Sequence, residues 1–290
     1  MTLAKYLNCL KLNWQMLKHC CQGRFLAPED YARSYDRLAC NYDHCWLEHL
    51  KAVTNRLLDE LPEQLVDGDI LDLGCGSGFT TARLAECYPN RRIAAVDISA
   101  GMLAEARRRC PRGDFQAADM LAFCQQRQSC SAALVVSAWA IGYSHPARLI
   151  PEVRRILSPG GSFLLVTNLA DTMPPVFHAF RRTLAQFPAR CTRAIIHHFP
   201  PSGAGLAALL KRQGFTLETA RTGAIEIVPP SDQDILNWLL NTGILAGFAE
   251  IMPLHQDNEV RDFFRQELSA AMAKYPLAHH YAFLKGTRPC

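Results

Sequence analysis

Apolar residues along this chain gather in short runs that stop at an acid or a glycine. Ile70-Leu71-Asp72-Leu73 runs into Gly74-Cys75-Gly76-Ser77-Gly78. Arg92-Ile93-Ala94-Ala95-Val96-Asp97 is a second run, and residues 115–120, with Asp119 near their end, are a third. Residues 132–137 form a fourth, and Ser158-Pro159-Gly160-Gly161 turns the chain into a fifth at 162–166. Such runs, bounded by turn residues, read as buried strands. Between them the spacing becomes helical, as in Phe79, Ala82, Leu84 and Ala85. Strands alternating with helices imply a parallel α/β sheet. Later segments read as a helix over 202–213 ended by Gly214, a sixth strand over 215–221 and a last strand over 280–285. About fifty residues separate those two strands. They open on Pro229-Pro230-Ser231-Asp232, with Ser231 as a helix cap, and continue with helices over 233–245 and 257–274.

The glycine-rich turn carries the first chemistry. Without a Cβ, Gly74, Gly76 and Gly78 let the chain turn sharply and let a ligand lie against the backbone. The helix start behind them offers unpaired N–H groups. A dinucleotide fingerprint would read G-x-G-x-x-G; here the spacing is G-x-G-x-G, two residues after Asp72. This turn resembles motif I of the class I methyltransferases, which bind S-adenosylmethionine. The five strand–helix units resemble the core of that family from about 69 to 166. The resemblance implies a Rossmann-like, seven-stranded, mostly parallel sheet with an antiparallel last strand, plus a helical N-terminal lid and a C-terminal cap insertion. It implies that Asp72 and the loop from Gly74 through Cys75 and Gly76 to Gly78 hold the methionine end. Asp97 would bind the ribose, with Ile98 and Met102 on one adenine face. Asp119 would accept from the adenine amino group, with Met120 as the other wall. Ser137 would sit where the fourth strand opens towards substrate. One acid at a strand end is ordinarily a loop cap; three at successive strand ends point to a ligand.

Composition sets bounds. At 290 residues and 49% apolar, the chain can bury a full core. No run of eighteen apolar residues occurs, so no membrane span is expected. Twelve cysteines are scattered without a C-x-x-C pair, which suggests reduced thiols in a cytoplasmic enzyme and no metal site. Lys5, Lys11, Lys18 and Arg24 are the only charged residues before Glu29. Removing them from 31 Lys+Arg leaves 27, against 27 Asp+Glu. That neutral body argues against a nucleic-acid surface. The clusters Arg107-Arg108-Arg109, Arg154-Arg155 and Arg181-Arg182 read as solvated helix faces.

The organisation expected is a helical preface over 1–60, a core over 61–221 with a substrate-side insertion at 168–201, a cap over 222–277, and a closing strand and tail over 278–290. In the preface Leu3, Leu7, Leu10, Trp14 and Leu17 form one apolar stripe on a basic helix. An active-site lid, a homodimer contact and a membrane-surface helix all fit it, with lid or dimer favoured. The following Tyr35-Asp36-x-x-Ala39-x-x-Tyr42-Asp43 resembles the segment before the core in many small-molecule methyltransferases, where it folds over the cofactor. Tyr35 and Tyr42, seven apart, would share a helical face and contact the ligand or pack on the core.

On the substrate side, Asn168 begins the insertion, which ends near His197-His198. The long cap is read as closing the pocket with Trp238 facing it. Its Trp238-x-x-x-Thr242-Gly243 resembles trans-aconitate methyltransferases, and residues 275–284 resemble the ending of malonyl-thioester methyltransferases. Both families esterify a carboxylate. The fourth-strand tip, Ser137-Ala138-Trp139-Ala140-Ile141-Gly142-Tyr143, has no D/N-P-P-Y/F and no acid or lysine. A carboxylate acceptor, already ionised near neutral pH, needs none. Trp139 and Tyr143 would wall the pocket or contact the sulfonium, and His145, His197 and His198 are candidate bases for a phenol or an activated carbon. The expected activity is methyl transfer to a small acidic or carrier-linked metabolite. Methylation of a quinone or secondary metabolite, a reaction releasing methylthioadenosine, and a cofactor-binding sensor are the alternatives.

Overall fold

The computed structural model describes residues 3–194, 198–229 and 235–290, with the side chains of 3–7 and 9 outside the description. The chain divides into two compact units. One, the sheet unit, comprises 35–172, 197–225 and 280–290. The other, the helical unit, comprises 1–34, 173–196 and 226–279.

The sheet has seven strands: β1 (Asp69–Leu73), β2 (Ile93–Asp97), β3 (Asp114–Ala117), β4 (Ala132–Ala138), β5 (Leu157–Asn168), β6 (Thr216–Glu226) and β7 (Ala278–Thr287). Their order is β3-β2-β1-β4-β5-β7-β6. Neighbours from β3 to β5 run parallel, and β7 runs antiparallel to β5, with Leu165 opposite Leu284. Strands covered on both faces must be apolar throughout, and Ile70, Leu71, Leu73, Leu134, Val135, Val136 and residues 163–166 are all fully buried. Order reverses at β1 and β4. At such a switch point a parallel sheet opens a crevice beyond its strand ends.

Element bounds shift from the sequence expectations in understandable ways. The third strand stops at Ala117, because Asp119 leaves the ladder to cap the helix Met120–Gln125, accepting from the N–H groups of Leu121 and Ala122. The sixth and last strands are each longer than expected. The expected helix over 233–245 is broken. Ile235–Leu240 stops where the Thr242 hydroxyl caps a short 3-10 turn, Gly243–Leu245. The Ser231 cap falls outside the described residues. Asp257 caps Asn258–Met272.

In the helical unit, Asn258–Met272 packs on Pro174–Gln186, with Arg182 donating to both oxygens of Glu267. Phe248 stacks between Phe177 and Phe180. Asp30, almost wholly buried, is neutralised by Arg33 and Arg193. The arginine clusters are therefore more than solvated faces. Arg182 ties two helices, and Arg155 donates to the carbonyls of Arg127 and Cys124. Among the described residues no helix is long and apolar enough to cross a membrane.

Candidate active site at the strand ends

The glycine turn lies at the carboxyl end of β1, and its three glycines have three different reasons. All have positive φ, which disfavours any side chain. A Cβ on Gly74 would lie 2.1 Å from the Ala140 Cβ, and one on Gly78 would lie 2.8 Å from the Ala106 backbone. Those two are glycine so that protein can approach protein. A Cβ on Gly76 would meet nothing within 4 Å. It would project into open space, where a ligand would lie. Four of the turn's N–H groups are already bonded: Gly74 and Cys75 donate to the Val96 carbonyl, Gly78 to the Cys75 carbonyl, and Gly76 to Asp97 at 2.9 Å. Those four N–H groups are spent on the fold, so at these positions the turn contributes shape.

The three acids diverge. Asp72 is fully buried; its Oδ2 accepts from the Thr81 hydroxyl at 2.6 Å, while Oδ1 has no partner. Burial pushes this carboxyl up to about 7 against the opposing Thr81 bond, with Asp97 adding to the rise. Asp97 grips the turn through Gly76 and the next helix through the N–H of Ser99 at 2.9 Å. Burial raises its pKa, and the N–H groups of Ser99, Gly76 and Ile98 oppose the rise. Each carboxylate oxygen retains accepting capacity beyond one N–H. Asp119 is a helix cap, as above. Met120 is half-buried with its methyl 3.5 Å from where a Gly74 Cβ would stand. Met102 is fully buried, and its N–H donates to Ser99, which caps its helix. Ile98 is partly exposed. Ser137 is fully buried, its hydroxyl donating to the Leu73 carbonyl, so it ties β4 to β1.

The preface brings in residues that strand motifs do not reveal. Tyr35 and Tyr42 do not share one continuous helix, because Pro28–Leu38 ends between them and a π-helix, Asp43–Leu47, follows. They still meet edge-to-face at 6.1 Å, and Tyr143 joins Tyr35 at 5.9 Å. Burial raises all three phenols, so they stay neutral at pH 7. Their neighbours do the anchoring. Asp36 accepts from the Ser99 hydroxyl at 2.6 Å and the Gly101 N–H at 2.9 Å. Asp43 accepts from the Ser77 hydroxyl and pairs with Arg109, which also donates to the Ser77 carbonyl at 2.9 Å. Each Tyr-Asp dyad thus puts an aromatic ring in one cluster and a carboxylate on a neighbouring loop. Arg109, expected on a solvated face, is part of this lock.

At the β4 tip Trp139 adopts φ +66°, a strained state for a bulky residue. Its indole N–H donates to the Thr54 hydroxyl at 2.9 Å, and its ring meets Tyr281 at 5.7 Å. Trp139, Tyr42, Leu50, Phe79 and the Gly74–Gly76 backbone line a pocket of about 380 Å³, counting its open mouth. Asn168 is buried at the end of β5 with Oδ1 unpaired. His145 is exposed and lies 4.6 Å, ring to ring, from His198, whose pKa is lowered by burial and then by His145. His197 lies outside the described residues. Trp238 is buried within the helical unit.

Comparison with known proteins decides what this architecture is. A family model described as a methyltransferase domain matches residues 70–161. The trans-aconitate 2-methyltransferase of Methylobacterium nodulans is 31% identical over 217 residues, 72% of this chain and 80% of that protein. The chain belongs to the class I S-adenosylmethionine-dependent methyltransferases. The malonyl-[acyl-carrier protein] O-methyltransferase of Alcanivorax borkumensis is 33% identical over 153 residues, 52% of this methyltransferase and 49% of that one. A Bacillus halodurans protein assigned as a methyltransferase shares the fold, with TM-score 0.55, 17% identity, and coverage of 81% of this chain and 98% of that one. The methyltransferase's cofactor is S-adenosylmethionine. Two features fit it: the open space at Gly76, and the orphaned Oδ1 of Asp72, which a cationic group would satisfy.

Proposed function

We propose that this methyltransferase esterifies a carboxylate of a small acidic or carrier-linked metabolite. The observation that carries the reading is the aromatic, base-free tip of β4. From 137 to 144 there is no acid, lysine or histidine. Ser137 is bonded away, and Tyr143 is held neutral by burial. A phenol or carbon acceptor needs its proton removed, whereas a carboxylate with pKa near 4 arrives ionised. The relatives' substrates, trans-aconitate and a malonyl thioester, both offer carboxylates.

When bound, the cofactor supplies a methyl group made electrophilic by its sulfonium. We assign Asp72 to the methionine ammonium, Gly76 to close passage of the ligand, Asp97 to the ribose, and Met120 to an adenine wall. Trp139, Tyr42, Tyr35 and Tyr143 exclude water and hold an aromatic face to positive charge. In-line displacement then depends on alignment and desolvation. Asn168, buried at the end of β5, is assigned to the acceptor side. The enzyme is expected to work in the cytoplasm.

Mass spectrometry of reactions with a panel of small di- and tricarboxylates and malonyl thioesters tests the reading. A methyl ester formed at a rate flat from about pH 6 to 8 supports it. A rate rising through about 6.5 and lost in His198→Gln points instead to a base-dependent acceptor. Release of methylthioadenosine without a methylated product overturns methyl transfer itself.

A further inference from the structure

The helix Leu3–Cys21 carries two faces, and the structure fixes which one packs. His19 is buried, and its Nε2 lies 2.9 Å from the Cys191 carbonyl; Gln15, one turn earlier, reaches the same carbonyl. Leu12 and Met16 are partly covered on that side. The apolar stripe points the other way. Leu10 is 48% exposed, Trp14 69% and Leu17 55%, three of the six exposed large apolar side chains among the described residues. In sequence the row extends back through Leu7 and Leu3. Water gains when such a row is buried, so a face left exposed by the fold suits a second surface.

Charge says which surface. Lys11 and Lys18, both exposed and seven residues apart, lie along one flank of the row. Arg24 follows, and no acid occurs before Glu29. None of the ion pairs among the described residues uses these three cations. We propose that this helix is a membrane-surface contact, seating Leu10, Trp14 and Leu17 among the acyl chains while Lys11 and Lys18 meet anionic headgroups. An amphipathic helix with a basic flank and an aromatic in its apolar row lies in the interfacial plane in this way, the lysine stems reaching up to the headgroups. A second copy is a poorer match. An isologous helix pair would bring two sets of cations together without an acid on the helix to pair with them. A lid would require the row to turn inward, away from the direction that His19 and Gln15 set. The helix does not cross the bilayer, consistent with the lack of any described helix apolar enough to do so.

The test is flotation of the full chain with phosphatidylcholine vesicles, with and without phosphatidylglycerol. Co-flotation is expected with the anionic vesicles and is lost as salt rises. Trp14→Gln with Leu17→Gln should lower the bound fraction at least about tenfold, and Lys11→Glu with Lys18→Glu roughly fivefold per site. Thermal melting and S-adenosylmethionine binding should stay as in the parent, which separates loss of the surface from loss of the fold or of catalysis. Flotation unchanged in these variants overturns the proposal. So does failure to float, whether the chain sediments as a monomer or as a dimer that Trp14→Gln dissociates; the dimer would identify a second copy as the occupant.

Discussion

The turn after β1 and the aromatic cluster beside it face the same chemistry but are built from different materials. The turn is backbone: its glycines are set by the Ala140 and Ala106 atoms behind them and by empty space at Gly76. The cluster is side chain: Tyr35, Tyr42 and Tyr143 meet at ring distances near 6 Å, each able to be trimmed without moving a strand. A site made of backbone should fail all at once, and a site made of rings should fail by degrees.

Within the turn, two glycines should break differently. Gly78→Val forces a side chain against the Ala106 backbone at positive φ and should lower Tm by about 10 °C in calorimetry. Gly76→Ala meets no protein atom. It should cost only about 1–2 kcal/mol of backbone strain, yet weaken S-adenosylmethionine binding at least about tenfold by titration. Equal damage to stability at both positions would show that the space at Gly76 is not reserved for a ligand.

Asp72 sharpens the contrast, because it is a side chain held as tightly as backbone. Its folded pKa, raised to about 7, lies above the usual carboxylate value. Its contribution to stability is therefore full below about pH 4 and is lost as pH rises through about 7. Asp72→Asn should raise the Tm of the free enzyme by about 3 °C at pH 8 and leave it nearly level at pH 4. If a cation ionises Asp72 on binding, S-adenosylmethionine should release about half a proton at pH 7. Calorimetry in buffers of differing ionisation enthalpy reads this, and the release should vanish in Asp72→Asn.

Smaller effects belong to the wall and its anchors. Arg109→Ala should weaken cofactor binding about fivefold, and Asp43→Ala similarly. The double variant should be little worse than either, since both release Ser77. Tyr42→Phe keeps the ring and should change affinity by less than about twofold, whereas Tyr42→Ala should cost roughly tenfold. Loss in Tyr42→Phe would mean that the hydroxyl, not the ring, is what the site uses.

What could be read from the sequence was what lies close along the chain. The strands announce themselves by apolar runs, and the helix read over 257–274 does begin at its Asp257 cap. Asp119 shows the limit of that logic, since an acid after a strand serves equally as a ligand contact or a cap, and its N–H partners decide. Arg109 and Asp43 are 66 residues apart, and no local pattern pairs them. The three-arginine run that contains Arg109 looks solvated, yet Arg109 donates to the Ser77 carbonyl and Arg107 to the Phe115 carbonyl. The N-terminal stripe was visible as a stripe, but periodicity cannot say which face packs. That was set by His19 and Gln15, two polar residues with a distant carbonyl to bond.

The position of β7 has a consequence for biosynthesis. It is the last strand in chain order, yet it lies between β5 and β6. While a ribosome is still making the preceding segment, β5 has one edge without its neighbour, and that strand carries the apolar run Phe163-Leu164-Leu165-Val166. Unpaired apolar edges recruit other chains. The nascent protein therefore keeps an open sheet edge until β7 emerges, and slower translation or scarcer chaperone over that interval should lower the yield of folded enzyme.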